Sequence, residues 1–169
     1  MAALEYNQDV DVLEEIKKVT TERVVIENDA KCAAQCEVTY GSLKGTDVDA
    51  VCILGTGIGG GITIGDRVFT GGHGFTSEFS YFSTKWTEKN GFDSKWGGTD
   101  GSVLKDYTDP VAIGGGISKQ PILMTYIQKS LDELYEKMPV PIPQVKLVQC
   151  KYNNDSNLIG ALANYKKVY

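Results

Sequence analysis

The seven residues from Gly55 to Gly61, reading Gly-Thr-Gly-Ile-Gly-Gly-Gly, are the densest chemical signal in the chain. A turn stripped of side chains exposes backbone N–H groups to an anion, and Thr56 adds a hydroxyl. Glycines at 55, 57 and 60 also satisfy the spacing of a dinucleotide-binding turn. That reading requires a helix after the turn to aim its dipole at a pyrophosphate, whereas Ile62-Thr63-Ile64 is β-branched and continues as strand. A P-loop is excluded because no Gly-Lys-Ser or Gly-Lys-Thr closes the run. Two readings stay open on local grounds: a phosphate-holding hairpin turn, and a hairpin whose glycines relieve strain. A second glycine run, Gly114-Gly115-Gly116, separates a short apolar segment from a proline-initiated helix. Between the two runs lie His73, the sole histidine, and Glu78, which local sequence reads as solvated loop residues.

The elements that must position these residues follow from apolar periodicity. Val12, Leu13, Ile16 and Val19 recur at helical spacing, and Arg23 to Glu27 reads as a short β-branched strand. Ala30 to Tyr40 is an alanine-rich helix stopped by Gly41, so Asp29 stands where strand turns into helix and is suited to cap it. Ala50 to Leu54, Gly61 to Ile64 and Arg67 to Phe69 form an antiparallel meander with a second turn at Gly65-Asp66. Gly71 to Gly101 lacks periodicity and reads as loop. Val111 to Ile113 is a strand, and Pro121 opens a helix with Leu123, Ile127, Leu131 and Leu134 on one face. Val145 to Val148 is a further strand, and Ser156 to Lys167 is a final helix with Lys166 and Lys167 in its last turn.

Composition narrows the setting. A chain of 169 residues with 41% hydrophobic and 23% charged residues is long enough and apolar enough to fold around its own core. A net charge of -5 provides no basic surface for nucleic acid or anionic lipid. No run reaches the ~18 apolar residues of a membrane span, and the first ten residues lack a secretory pattern. The cysteines, Cys32, Cys36, Cys52 and Cys150, show no disulfide framework, which points to a reducing, cytoplasmic setting. Cys32 and Cys36 are four apart on a predicted helix and read as packing, so no metal site is expected.

Taken in order, Glu27-Asn28-Asp29-Ala30, Leu54 to Gly61, Glu78, Ile113 to Ser118 and Asn157-Leu158-Ile159-Gly160-Ala161 resemble the ROK family of repressors and sugar kinases. The resemblance implies an α/β chain of actin-like ATPase, ribonuclease-H-like fold, mainly its C-terminal half with part of the N-terminal domain. On that basis residues 1–42 are a remnant of the N-terminal domain, 43–154 a nucleotide-binding domain and 155–169 a C-terminal helix. The family's Asn-Asp pair implies sugar binding at Asn28 and a catalytic base at Asp29. Its Gly-Glu segment maps onto Thr76-Ser77-Glu78-Phe79, with Glu78 accepting a sugar hydroxyl and His73 a further sugar contact. Gly55, Thr56, Gly57 and Gly59 correspond to a phosphate hairpin, and Gly114, Gly115 and Gly116 to an adenosine loop.

The implied activity is ATP-dependent phosphorylation of a hexose, with Mg2+ required and a homodimer admitted. The alternative from the same family is the sugar-sensing module of a transcriptional repressor. The chain departs from the family pattern in three ways. Tyr81 stands where many members have histidine, and no cysteine lies between Cys52 and Cys150, so zinc is not expected. The family's Asp-Gly-Gly-Thr-type phosphate loop near the start of its N-terminal domain has no counterpart. A helical insertion usual before the adenosine-loop strand is replaced by the abrupt Tyr107-Thr108-Asp109-Pro110. Because clamping of the phosphates is the main catalytic resource in phosphoryl transfer, the chain by itself is expected to be inactive.

Overall fold

Alternation along the strands decides which way the sheet is covered. A computed structural model of the chain describes residues 10–79, 110–137, 139 and 143–169. Strands β1 (Val48–Leu54), β2 (Ile58–Ile64) and β3 (Arg67–Phe69) form the expected antiparallel meander. β4 (Val111–Gly114) runs parallel to β1, and β5 (Leu147–Gln149) parallel to β4. The result is one mixed sheet in the order β3-β2-β1-β4-β5.

Helix α1 (Val12–Lys17) precedes the sheet. Helices α2 (Asp29–Tyr40) and α3 (Pro121–Glu136) cover the sheet, and α4 (Ser156–Val168) packs on α2. On one face Ala50, Cys52, Val111, Ile113 and Val145 pack with Phe79, Met124 and Ile127 of α3. On the other, Val51, Ala112, Val148 and Cys150 pack with Ala34 and Val38 of α2. Successive residues of β1 and β4 therefore serve opposite cores, as the two-residue period of a strand requires. α4 lies on α2 so closely that a Cβ on Gly160 would fall 1.6 Å from the Cys32 carbonyl oxygen.

A buried carboxylate fixes the far end of α2. Glu37 is fully buried and accepts backbone N–H bonds from Ser42 at 2.8 Å, Lys151 at 3.0 Å and Tyr152 at 3.2 Å. It joins the helix, its exit turn and the segment after β5 through charge-assisted bonds. Gly41 is required there, because a Cβ would lie 2.0 Å from Glu37 Oε2.

Three expectations need correction. Residues 23–28 form no strand; the β-branched run Val24-Val25-Ile26 has no ladder partner among the described residues, and Ile26 is exposed. Propensity makes a chain extended, but only a neighbouring strand makes it a sheet member. α1 forms, capped by Asp11, but ends at Lys17; none of its residues is fully buried, Leu13 and Ile16 are half-buried, and Val19 beyond it is 84% exposed. The glycine stretch is not all turn. Only residues 55–57 bend, and Gly59, Gly60 and Gly61 lie inside β2. A side chain at Gly59 or Gly61 would strike Ala30 or Ala34 of α2, and one at Gly60 would strike Phe79 on the opposite face. These glycines let a helix and a ring approach the sheet backbone. Tyr81 and Tyr107 to Asp109 lie outside the described residues.

Candidate functional site

Parallel strands deliver their C-terminal ends to one sheet edge, where the turns that follow them are free to hold a ligand. Ile53 of β1 pairs with Gly114 of β4, so the turns at 55–57 and 115–116 emerge side by side. Their contact is intimate. Gly115 holds a φ of +93°, and a Cβ on it would lie 2.2 Å from the Leu54 carbonyl oxygen. Gly57 borders open space, whereas the Gly55 N–H donates to the Gly57 carbonyl at 3.0 Å and so closes the turn internally. Gly116 opens a 3₁₀ turn over Gly116–Lys119, in which Ser118 Oγ donates to the Gly115 carbonyl at 2.7 Å and lies 3.3 Å from Asn153 Oδ1.

The first turn of α2 lies over the same end of the sheet. Gly59 pairs with Ile53, and the space its side chain would take is filled by Ala30. Asn28, not Asp29, is the N-cap: its Oδ1 accepts from Ala30 N at 2.9 Å and Lys31 N at 3.1 Å. The Nδ2 amide is what Asn28 has left to offer a ligand. Asp29 occupies the first helical position, exposed, with one carboxylate oxygen accepting from Ala30 N at 2.8 Å.

Lys31 connects this terminus to the loop after β3. Only 2% of its side chain is exposed, and Nζ donates to the Gly74 carbonyl and lies 3.7 Å from Glu78 Oε1. A buried ammonium is tolerated only with such partners. The same lysine therefore holds Glu78 against the end of α2 that carries Asn28 and Asp29. Phe79 anchors the loop from the other side, its ring filling the space left by Gly60. His73 stands one residue before Gly74 and is exposed.

Sequence reasoning named Asn28, Asp29, Glu78 and the glycine turns but passed over Lys31, Ser118 and Asn153. A lysine flanked by Ala30 and Cys32 inside an alanine-rich helix was the available signal. Nothing in the spacing of Ser118 and Asn153, 35 residues apart, announces their bond.

All four cysteines are buried and free. Burial pushes the Cys36 and Cys52 thiols up to about 12 and that of Cys150 higher. Cys32 is pushed up to about 11 by burial, then by the nearby charges of Glu27 and Asp29. These groups remain neutral packing residues at ordinary pH. Among the described residues no group of three or more His, Cys, Asp or Glu could hold a metal, and no helix is long and apolar enough to cross a membrane.

A mixed sheet in the order β3-β2-β1-β4-β5, with helices on both faces, defines the actin-like ATPase class of α/β folds, and solved structures agree. A ROK family glucokinase from Streptomyces griseus, solved in complex with glucose and AMPPNP, is similar with a TM-score of 0.71 at 20% identity, over 90% of this chain and 70% of that one. A ROK family transcriptional regulator, homologue of the E. coli MLC protein, is similar with a TM-score of 0.68 at 18% identity, over 92% of this chain and 55% of that one. The family model of the ROK family matches residues 1–91, more than half of the chain, and the chain belongs to that family. A glucokinase from Streptomyces coelicolor is 48% identical over 59 residues, a match that spans 34% of this chain and 18% of that protein.

Proposed function

We propose that this chain carries the sugar- and nucleotide-binding residues of an ATP-dependent hexose kinase of the glucokinase type. The observation that supports the reading is convergence. Two glycine-rich turns, the exposed Asp29 carboxylate, and a Glu78 carboxylate tied to the same helix by Lys31 all lie at one end of the sheet. Asn28 Nδ2 and Glu78 would hold sugar hydroxyls, with His73 a further contact. Asp29 would orient the attacking hydroxyl and take its proton late in the transfer, a role that needs position more than a shifted pKa. Gly57 and Thr56 would face the phosphates, and Gly114, Gly115 and Gly116 the adenosine.

Backbone N–H groups and open glycines suit an anion and a flat ring, not a cation. Mg2+ therefore belongs to this reading as part of the Mg–ATP substrate, with no cage of protein ligands among the described residues. Turnover by the chain alone is not expected, because the phosphate clamp opposite these turns belongs to the Asp-Gly-Gly-Thr-type segment of the family.

Joined to that segment from a ROK glucokinase, the chain should release ADP in a glucose-dependent manner, and Asp29→Ala should lower the rate by about 10²- to 10⁴-fold. Full activity in the alanine variant would remove Asp29 from the mechanism. Glucose binding without any ADP release would favour the sugar-sensing role of the regulators that share this fold.

A further inference from the structure

Ser77 combines two costs that the fold does not return. Its φ is +68°, a left-handed conformation that favours glycine, and the residue is 7% exposed. Its Oγ is buried without a hydrogen-bond partner. A non-glycine residue in that region is strained, and an unsatisfied buried hydroxyl has lost its water without gaining a partner.

The backbone conformation is imposed by the neighbours. Gly74 and Glu78 are held by Lys31 Nζ, Phe79 is fixed against Gly60, and Phe79 N donates back to the Ser77 carbonyl at 2.9 Å. Residue 77 must therefore bridge two fixed points through a left-handed turn, and glycine would do so without strain. The hydroxyl is the one feature that serine adds, and it stands one residue from Glu78. Strain and an orphaned polar group at one position mark a site where the return comes from a ligand.

We propose that Ser77 is a sugar-binding and specificity-determining residue, whose Oγ gains its missing partner from a hexose hydroxyl when the sugar docks against the Glu78 carboxylate. The inference rests on the hexose-binding reading above and assigns it a residue and a chemical group. A hydroxyl both donates and accepts, so it suits a ligand hydroxyl, whereas Glu78 as a carboxylate can only accept. The pair would read two neighbouring positions of the sugar ring.

Titration calorimetry of the full chain with glucose and the series of monodeoxyglucoses tests this, alongside thermal unfolding. Ser77→Ala should weaken glucose binding about three- to tenfold, and one deoxyglucose, the one lacking the contacted hydroxyl, should bind the wild type and Ser77→Ala equally. Ser77→Gly should show the same loss of affinity while raising Tm, since it removes both the strain and the orphaned hydroxyl. If the wild type binds glucose and both variants bind it as tightly, Ser77 is not a sugar contact and the hexose reading stands. If both variants lose affinity equally for glucose and every deoxyglucose, the effect is structural and the assignment is wrong. If the wild type binds no hexose, the kinase reading falls and this inference falls with it.

Discussion

Lys31 is the residue on which the candidate site turns. It is 2% exposed and bridges the Gly74 carbonyl and Glu78, so Glu78 owes its position to a side chain on another element. Breaking a fully buried ion pair costs about 3–5 kcal/mol, and because Glu78 is 23% exposed the loss here should be nearer 2–3 kcal/mol. Lys31→Ala should lower the urea midpoint accordingly and abolish glucose binding, while Lys31→Met with Glu78→Gln should recover stability without recovering binding. Wild-type affinity in Lys31→Ala would show that Glu78 is held by something else. The signal was present in the sequence as a charged residue among alanines, but its meaning depended on Gly74 and Glu78, more than forty positions away.

At the scale of elements, the glycines of β2 and α4 do opposite things from those of the turns. Gly57 borders open space, whereas Gly59, Gly60, Gly61 and Gly160 let bulkier neighbours approach the backbone. Gly160 is the sharpest case. Alanine would improve the intrinsic helix propensity of α4 by about 1 kcal/mol, yet its Cβ would stand 1.6 Å from the Cys32 carbonyl oxygen. Backbone cannot swing aside as a flexible side chain can, so α2 and α4 would have to part. Overpacking of this kind costs about 1–3 kcal/mol or more, and Gly160→Ala should therefore destabilise by about 2 kcal/mol in chemical denaturation. An unchanged or raised midpoint would mean that the two helices slide freely. Since Asn28 and Asp29 stand one turn before Cys32 at the same end of α2, the same substitution should also weaken ligand binding.

For the whole molecule, the buried thiols set a limit on stability in alkali. In the folded chain Cys36 and Cys52 titrate at about 12 against a usual value of 9.0, because burial disfavours the thiolate. The unfolded chain therefore loses these protons first as pH rises. Stability from this source is full below about 9 and falls as pH climbs from there towards 12. Denaturation midpoints should be lower at about pH 10 than at about pH 8, and Cys52→Ala should reduce the slope of that dependence. A midpoint flat across this range would remove the thiols from the account. The four thiols should also react with an aromatic disulfide reagent in native buffer only as fast as the chain opens.

The motifs that carried the family resemblance, from Glu27-Asn28-Asp29-Ala30 to Asn157-Leu158-Ile159-Gly160-Ala161, were legible because each is local, a few residues whose types alone narrow their chemistry. So were the helices read over Ala30 to Tyr40, from Pro121 through Leu134 and over Ser156 to Lys167, and the meander of β1 to β3, because period and breakers act within one element. What spacing could not reveal was how far the glycine run belongs to a turn. Gly59 to Gly61 became strand because α2 and Phe79 press on both sides of the sheet there. Nor could β-propensity tell that Val24 to Ile26 would stay unpaired, since a strand exists only with its neighbour. Residue types and short-range order were fixed along the chain. Which glycines lie in a turn, which lysine holds the glutamate and why a serine sits strained beside it were decided in space, by contacts between segments far apart in sequence.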